Sequence, residues 1–510
     1  MNWIRNRIMT EEKRSSLEGG GLRSASGVKR RVFTRALNRL RSLIQAPIGH
    51  LSLRQLAEYS PQGEIDKGVQ NMSSLEGGGL RNESVAGRRV FGIGLLTIIL
   101  IFISIPVHSQ SIQDYQQMAA ENNPEVRAAF HRYLASLEEG AHLGALPDPE
   151  LAFGYFISPI ETRVGPQQAR ISLSQMFPWF GTLSDRRDLS ASKAMAEFEQ
   201  FQERRNRLFF EVEQAYLKLY EIDKSITIAE ENLEILNSLV DISLGRYETD
   251  QATQVDVLRS QIEQEDLKTQ IALLEDDRRV IVQEMNAFMN RADDASITPT
   301  DTLTADLSLI NEDALTKQMA RQNPALNRLR YKKESARDMK SLAENDGKPS
   351  FGIGFDYMFT GERTDVTGLT DNGRDAMMAR VSLKIPLFRK KYSAGIRQAE
   401  LNIRSAEYAI EGRKNQLETD LSASLRDLKD AARRYELYDQ KQIQRVNQAL
   451  SVMMQRYSTD SSNFEEILRM QRKQLEYRLS RIRALVDMKV AGAYIDYLTG
   501  KNNVDMSRES

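Results

Sequence analysis

The stretch "LAFGYFI", residues 151–157, sets Leu151, Phe153, Tyr155 and Ile157 on one side and Ala152 and Gly154 on the other. Successive side chains of an extended chain point to opposite faces, so this alternation is the signature of a strand with one apolar face. Two hundred residues later, "FGIGFDY" (351–357) repeats the pattern, with Phe351, Ile353, Phe355 and Tyr357 opposite Gly352, Gly354 and Asp356. A second alternating run follows each copy. Ile171 and Leu173 lie opposite Arg170, Ser172 and Ser174, and Val381, Leu383 and Ile385 lie opposite Arg380, Ser382 and Lys384. The chain thus reads as two strand pairs, each joined by a polar loop, near 158–168 and 360–376.

Outward from the strands the same plan is written twice. Each pair runs into a proline-aromatic element, "FPWF" or "IPLF", where Pro178 and Pro386 cannot donate to a sheet ladder and so turn the chain toward a helix. Before each pair lies a helical stretch, about 112–144 and 311–345, punctuated by Asn123-Pro124 and Asn323-Pro324. After the first pair, residues 186–245 hold no proline and one glycine, with Leu208, Phe209, Val212, Ala215, Tyr216 and Leu219 at helical spacing. Sixty residues at ~1.5 Å each predict a rod on the order of 90 Å.

The rod must reverse, and the reversal is also duplicated: "RYETDQATQVDVLR" from Arg246 returns as "RYSTDSSNFEEILR" from Arg456. Thr253 with Asp256, and Asn463 with Glu466, have the spacing of an N-cap and its acidic partner, so a new helix is expected at each place. The body is therefore one helix–strand–strand–helical-hairpin unit in two copies, 110–300 and 301–500, with a disordered tail at 501–510.

Four strands with a greasy face and a polar face suit a bilayer, where only helices and closed barrels satisfy every backbone group. Four are too few to close a barrel, so sister molecules must supply the rest; three copies of four give twelve strands. Arg170, Asp356, Arg380 and Lys384 then face the barrel lumen, where charge is tolerated. Small soluble sheets packed on helices are the competing reading of such short alternation.

The first 110 residues differ in kind. They carry 16 Lys+Arg against 8 Asp+Glu, leaving 54 against 63, or −9, for 111–510. "VFGIGLLTIILIFISIPV" (90–107), after Arg88-Arg89 and before "HSQS", predicts a secretory signal over 72–109 with cleavage after Ser109. An inner-membrane helix is the alternative, the run being near the ~18-residue spanning length. "SSLEGGGLR" occurs at both Ser15 and Ser73, and we read 1–71 as a disordered leader or an over-extended start, with translation beginning at Met72.

Composition excludes several functions. The chain has no cysteine, hence no disulfide, thiolate nucleophile or cysteine-bound metal. A mildly acidic body offers no attraction to nucleic acid. No ordered Ser-His-Asp set, phosphate-cradling glycine loop or ligand cluster suggests an enzyme, cofactor or metal site, and Gly352-Ile-Gly-Phe355 is explained as a strand face. His131, His142 and Met453-Met454 give little support for a metal site.

At these residues the sequence resembles the TolC-type outer-membrane efflux channel family, over nearly all of 111–500. The resemblance rests on the duplicated plan, the Asn-Pro pairs, the "SQMFPWFGTL" passage and the paired hairpin ends. It implies a mainly α fold with a small β part: a homotrimer with a twelve-stranded barrel in the outer membrane of a Gram-negative bacterium and a helical tube crossing the periplasm. Its partners would be a periplasmic adaptor and an inner-membrane pump. "SQMFPWFGTL" looks closest to members serving heavy-metal cation export. The matching hairpin ends, Arg246, Tyr247, Thr249, Asp250, Thr253 and Asp256 with Arg456, Tyr457, Thr459, Asp460, Asn463 and Glu466, become the expected adaptor-contact and gating residues. Packing and capping is the alternative role of Arg246, Tyr247, Arg456 and Tyr457. Asp250 and Asp460 stand where the family usually has glycine; they could form acidic rings at the tube's mouth or be simple solvated turn residues. A periplasmic adaptor, which also carries helical hairpins, is the alternative function.

Overall fold

The computed structural model describes residues 111–300, 303–305, 311–459 and 464–501. The expectations for 1–71 and 72–109, for Asp460 and Asn463, for the side chain of Thr459 and for all of the 501–510 tail except Lys501 lie outside the described residues.

The elements follow the duplicated order. The first set is α1 (Ile112–Asn122), α2 (Pro124–Leu143), β1 (Glu150–Thr162), β2 (Gly165–Phe177), α3 (Thr182–Glu248) and α4 (Gln254–Phe288). The second is α5 (Glu312–Gln322), α6 (Pro324–Asp346), β3 (Ser350–Thr360), β4 (Ala376–Lys384), α7 (Arg389–Leu437), α8 (Ile443–Thr459) and α9 (Phe464–Thr499). A π-helical turn, Tyr438–Gln442, joins α7 to α8. The 67 residues of α3 span about 100 Å.

Each Asn-Pro pair is a joint. Asn123 ends α1, and its side chain accepts from the backbone N–H of Glu125 and Val126 while Pro124 opens α2. Asn323 accepts from Leu326 N–H in the same way. Proline at the first helical position forfeits only an N–H that has no intrahelical partner.

The four strands form one antiparallel sheet in the order β1-β2-β3-β4. The registers Leu151↔Leu173, Leu173↔Phe355 and Phe355↔Ala379 put the apolar positions of neighbouring strands side by side. One expectation is corrected: the first loop is the two residues Arg163 and Val164, since β1 and β2 continue through most of 158–168. The alternation is lost at a register shift between Tyr155 and Ile160 and at Pro159 and Pro166, yet pairing resumes as Ile160↔Gln167 and Thr162↔Gly165. Gly165 takes φ 130°, and a Cβ there would collide with the Gly361 carbonyl oxygen, so glycine is required in that turn. The second loop, 361–375, agrees with its expected span.

Two equivalent cores hold the short helices to the long ones. Tyr115, Val126, Tyr133, Phe198, Val212, Tyr216 and Met285 form the first. Met319, Leu326, Leu417, Leu421, Ile495 and Leu498 form the second. A third cluster, with Leu236, Leu239, Leu267, Tyr457, Phe464 and Ile467, binds the far ends of the hairpins α3/α4 and α8/α9 to each other.

Candidate functional site

The far end of the first hairpin is built by a C-cap. The helix α3 stops where Asp250 enters the left-handed region at φ 56°. Gln251 N–H then donates to Arg246 O (2.8 Å) and Asp250 N–H to Tyr247 O (3.1 Å), satisfying carbonyls that the helix end would leave open. Thr253 begins α4 with a reciprocal capping box, its hydroxyl accepting from Asp256 N–H (3.3 Å) and Asp256 Oδ2 accepting from Thr253 N–H (3.1 Å). Just inside the turn, Ser243 and Ser260 are fully buried with their hydroxyls 3.1 Å apart, which lets the two helices approach closely.

The candidate residues divide by exposure. Tyr247, Thr249, Asp250 and Thr253 are exposed. Arg246 instead points to the second hairpin, donating to the Tyr457 carbonyl with its guanidinium 4.3 Å from the centre of the Tyr457 ring. Tyr457 is 5% exposed, and burial pushes its phenol above the ordinary tyrosine range. Its side chain therefore belongs to the packing between hairpins and not to an outer surface. Further ion pairs cross the same boundary, Arg259–Glu465 at 2.9 Å and Arg472–Glu263 at 3.1 Å. Sequence spacing did not reveal these pairs, because their partners lie about two hundred residues apart. Arg456 and Glu466 come together on an open groove of about 470 Å³ that also includes Val452, Met453 and Ile467. Met453 and Met454 pack against the inter-hairpin cluster.

At the opposite end, the sheet presents an apolar face without cover from its own chain. Leu151, Phe153 and Tyr155 are 70–71% exposed, Ile157 97% and Val381 81%. The other face carries Arg170, Ser172, Gly354, Asp356, Arg380 and Lys384. Glycines there make room for long side chains: a Cβ on Gly354 would sit 3.3 Å from the Arg380 guanidinium. Asp356 is fully buried rather than open to solvent; Ser172 donates to its Oδ1, and Arg380 Nε approaches its Oδ2 to 4.0 Å. Pro178 and Pro386 follow immediately or closely on the ends of β2 and β4. Trp179 then stacks on Phe351 with ring centres 5.8 Å apart, and Gly181, at φ 92°, lets the chain swing into α3. Phe180 and Phe388 stand 80% and 84% exposed beside this passage. Among the described residues, no helix is long and apolar enough to cross a membrane and no group of three or more His, Asp or Glu residues is placed to hold a metal ion.

Residues 116–291 match the family model described as "Outer membrane efflux protein". No curated relative matches the chain. Among solved structures it is similar to a membrane protein of Pseudomonas aeruginosa, with TM-score 0.64 and 16% identity, covering 76% of this chain and 90% of that one. It is similar also to the outer membrane protein VceC of Vibrio cholerae, with TM-score 0.63 and 15% identity over 76% of this chain and 96% of that one. The open state of the MtrE outer membrane channel of Neisseria gonorrhoeae gives TM-score 0.60 and 16% identity over 76% and 88%.

Proposed function

From the match of residues 116–291 to the outer membrane efflux protein model, we propose that this chain is the channel subunit of a three-part efflux assembly. In this reading it is a passive duct of the outer membrane of a Gram-negative bacterium, joined in the periplasm to an adaptor and an inner-membrane pump. One observation carries the proposal: a sheet of four strands whose apolar face is bare and whose two edges are open sits at one end of helical hairpins whose longer arm, α3, runs about 100 Å. Bare edges cannot persist among acyl chains, so the unit is completed by copies of itself, three in the homotrimer we propose. An adaptor function is disfavoured, since two hairpins and a single lipid-facing sheet leave no separate soluble β domain in the described residues.

The duct does no chemistry; it supplies a water-filled path and an end that opens. The adaptor contact would fall on the exposed residues Tyr247, Thr249 and Asp250 and on the groove of Arg456 and Glu466. Heavy-metal cations are the cargo that the Ser174–Leu183 passage suggests, with selection made by the pump. The test is extraction in mild detergent followed by mass measurement and single-channel recording. A trimer that conducts ions in planar bilayers is expected; a monomer, or material released from membranes by carbonate, would defeat the proposal. Cargo is tested separately, by the sensitivity of a deletion strain to copper, silver, zinc and cobalt against its sensitivity to organic drugs.

A further inference from the structure

The two open edges of the sheet carry opposite charge. Residues 147–162, leading into and along β1, contain Asp148, Glu150 and Glu161 and no basic residue. Residues 376–391, along and beyond β4, contain Arg380, Lys384, Arg389, Lys390 and Lys391 and no acidic one. Asp148, Glu150, Lys384 and Lys390 are all exposed, and none makes a side-chain hydrogen bond or ion pair within the described residues. Lys391 lies over the Tyr392 ring at 5.7 Å, and Arg389 donates to Gly347 O at 3.0 Å. Both charged groups occupy the same end of the sheet, the end from which β1 departs and at which β4 finishes. Glu150 also shares a face with Arg380 and Lys384, because the row Glu150↔Ser174↔Gly354↔Arg380 runs straight across the four strands.

We infer that the seam between adjacent copies is closed by an ionic clasp at this rim, Asp148 and Glu150 of one copy meeting Lys384, Lys390 and Lys391 of the next. The inference rests on the self-completing barrel proposed above and deepens it. An even number of strands lets β4 of one copy run antiparallel to β1 of the next, so the ring closes head to tail with unlike edges in contact. Apolar alternation fixes only which face is outward: a slip by two residues leaves every side chain on its own face. A tilted barrel also demands a defined stagger, which that pattern cannot choose. Opposite charge at one end of the seam does choose it, since a slipped register strands lysines beside apolar strand and leaves the carboxylates without counter-ions. The rim lies where the bare apolar face ends, a setting in which an ion pair is screened less than in open water.

The experiment uses the full chain in three variants, with trimer yield read after mild detergent extraction. Asp148→Lys with Glu150→Lys, and separately Lys384→Glu with Lys390→Glu and Lys391→Glu, are each expected to lower the yield at least about tenfold, in line with the cost of juxtaposed like charges. All five changes together are expected to restore it to within about twofold. The helical circular dichroism of each variant confirms that the hairpins still fold, and raising salt is expected to speed dissociation of the wild-type trimer. The clasp is refuted if both reversed sets assemble like wild type, or if the combination does no better than either alone. Loss confined to the lysine set, without rescue, assigns those lysines to lipid phosphates and equally overturns it. A wild-type protein that is never trimeric defeats the proposed function itself; wild-type trimers with indifferent variants defeat only the clasp.

Discussion

Glu213 lies against the first core, where burial, and secondly the charge of Asp496, pushes its carboxyl up to about 6; Gln116 donates to it at 3.3 Å. A carboxyl with a raised folded value holds its proton longer in the folded state, so its stabilising contribution is complete below the unfolded value near 4.5 and is lost as pH rises through 6. Replacement by Gln keeps an acceptor for Gln116 and removes the charge. Glu213→Gln is therefore expected to raise the melting temperature at pH 7.5, by at most about 2 kcal/mol of stability, and to flatten its dependence between pH 4.5 and 6. Melting curves across that range check both. Asp250 poses a backbone question, because its φ of 56° disfavours any side chain. Asp250→Gly should stabilise the hairpin end by about 0.5 kcal/mol and Asp250→Ala should weaken it by about 1 kcal/mol. Hydrogen exchange at the Gln251 amide, which closes the cap, separates the two. The family resemblance foretold a turn at Asp250, and the aspartate keeps the left-handed geometry that glycine would supply.

At the scale of elements, the Asn-Pro pairs do more than their sequence discloses. Asn123 caps α2 and also donates to Phe288 O at 3.1 Å, at the last residue of α4. Asn323 caps α6 and donates to Leu498 O at 2.9 Å, in the last turn of α9. Each joint thereby anchors the returning arm of a hairpin to the start of a short helix. Asn323, at 3% exposure, cannot be replaced from solvent. Asn323→Ala is expected to cost about 2–3 kcal/mol, the sum of a lost cap and an orphaned buried carbonyl, with faster exchange at both Leu326 and the end of α9. A helix boundary was legible from each Asn-Pro pair, whereas the capping by the asparagine side chains was not. Nor were the ties to Phe288 and Leu498, since they join residues 165 and 175 positions apart. Strand pairing shows the same division: faces followed from alternation, while the two-residue turn at Arg163 and Val164 was hidden by prolines and a register shift.

At the largest scale, the described residues carry a sheet with a bare apolar face at the end of long helices. In the barrel we propose, the cost of charge depends on which face bears it. Val381→Arg, on the apolar face at 81% exposure, is expected to cost about 2–4 kcal/mol of folding into bilayers, whereas Ser382→Arg, one residue on and facing inward, should cost under about 1 kcal/mol. Folding yield into lipid vesicles across a urea series measures the difference. Equal costs would mean that the alternation does not divide lipid from lumen.

By itself the sequence determined the repeated plan, the two faces of the alternating runs, the proline exits toward the helices and the cap at Thr253, because each depends on neighbours within a turn or two of chain. Only the tertiary structure decided that Tyr457 lies buried under Arg246, that Asp356 is sealed beneath Ser172 and Arg380, and that acidic and basic edges stand at opposite sides of one sheet. Those outcomes need residues hundreds of positions apart to meet, and local periodicity carries no information about which distant segment arrives.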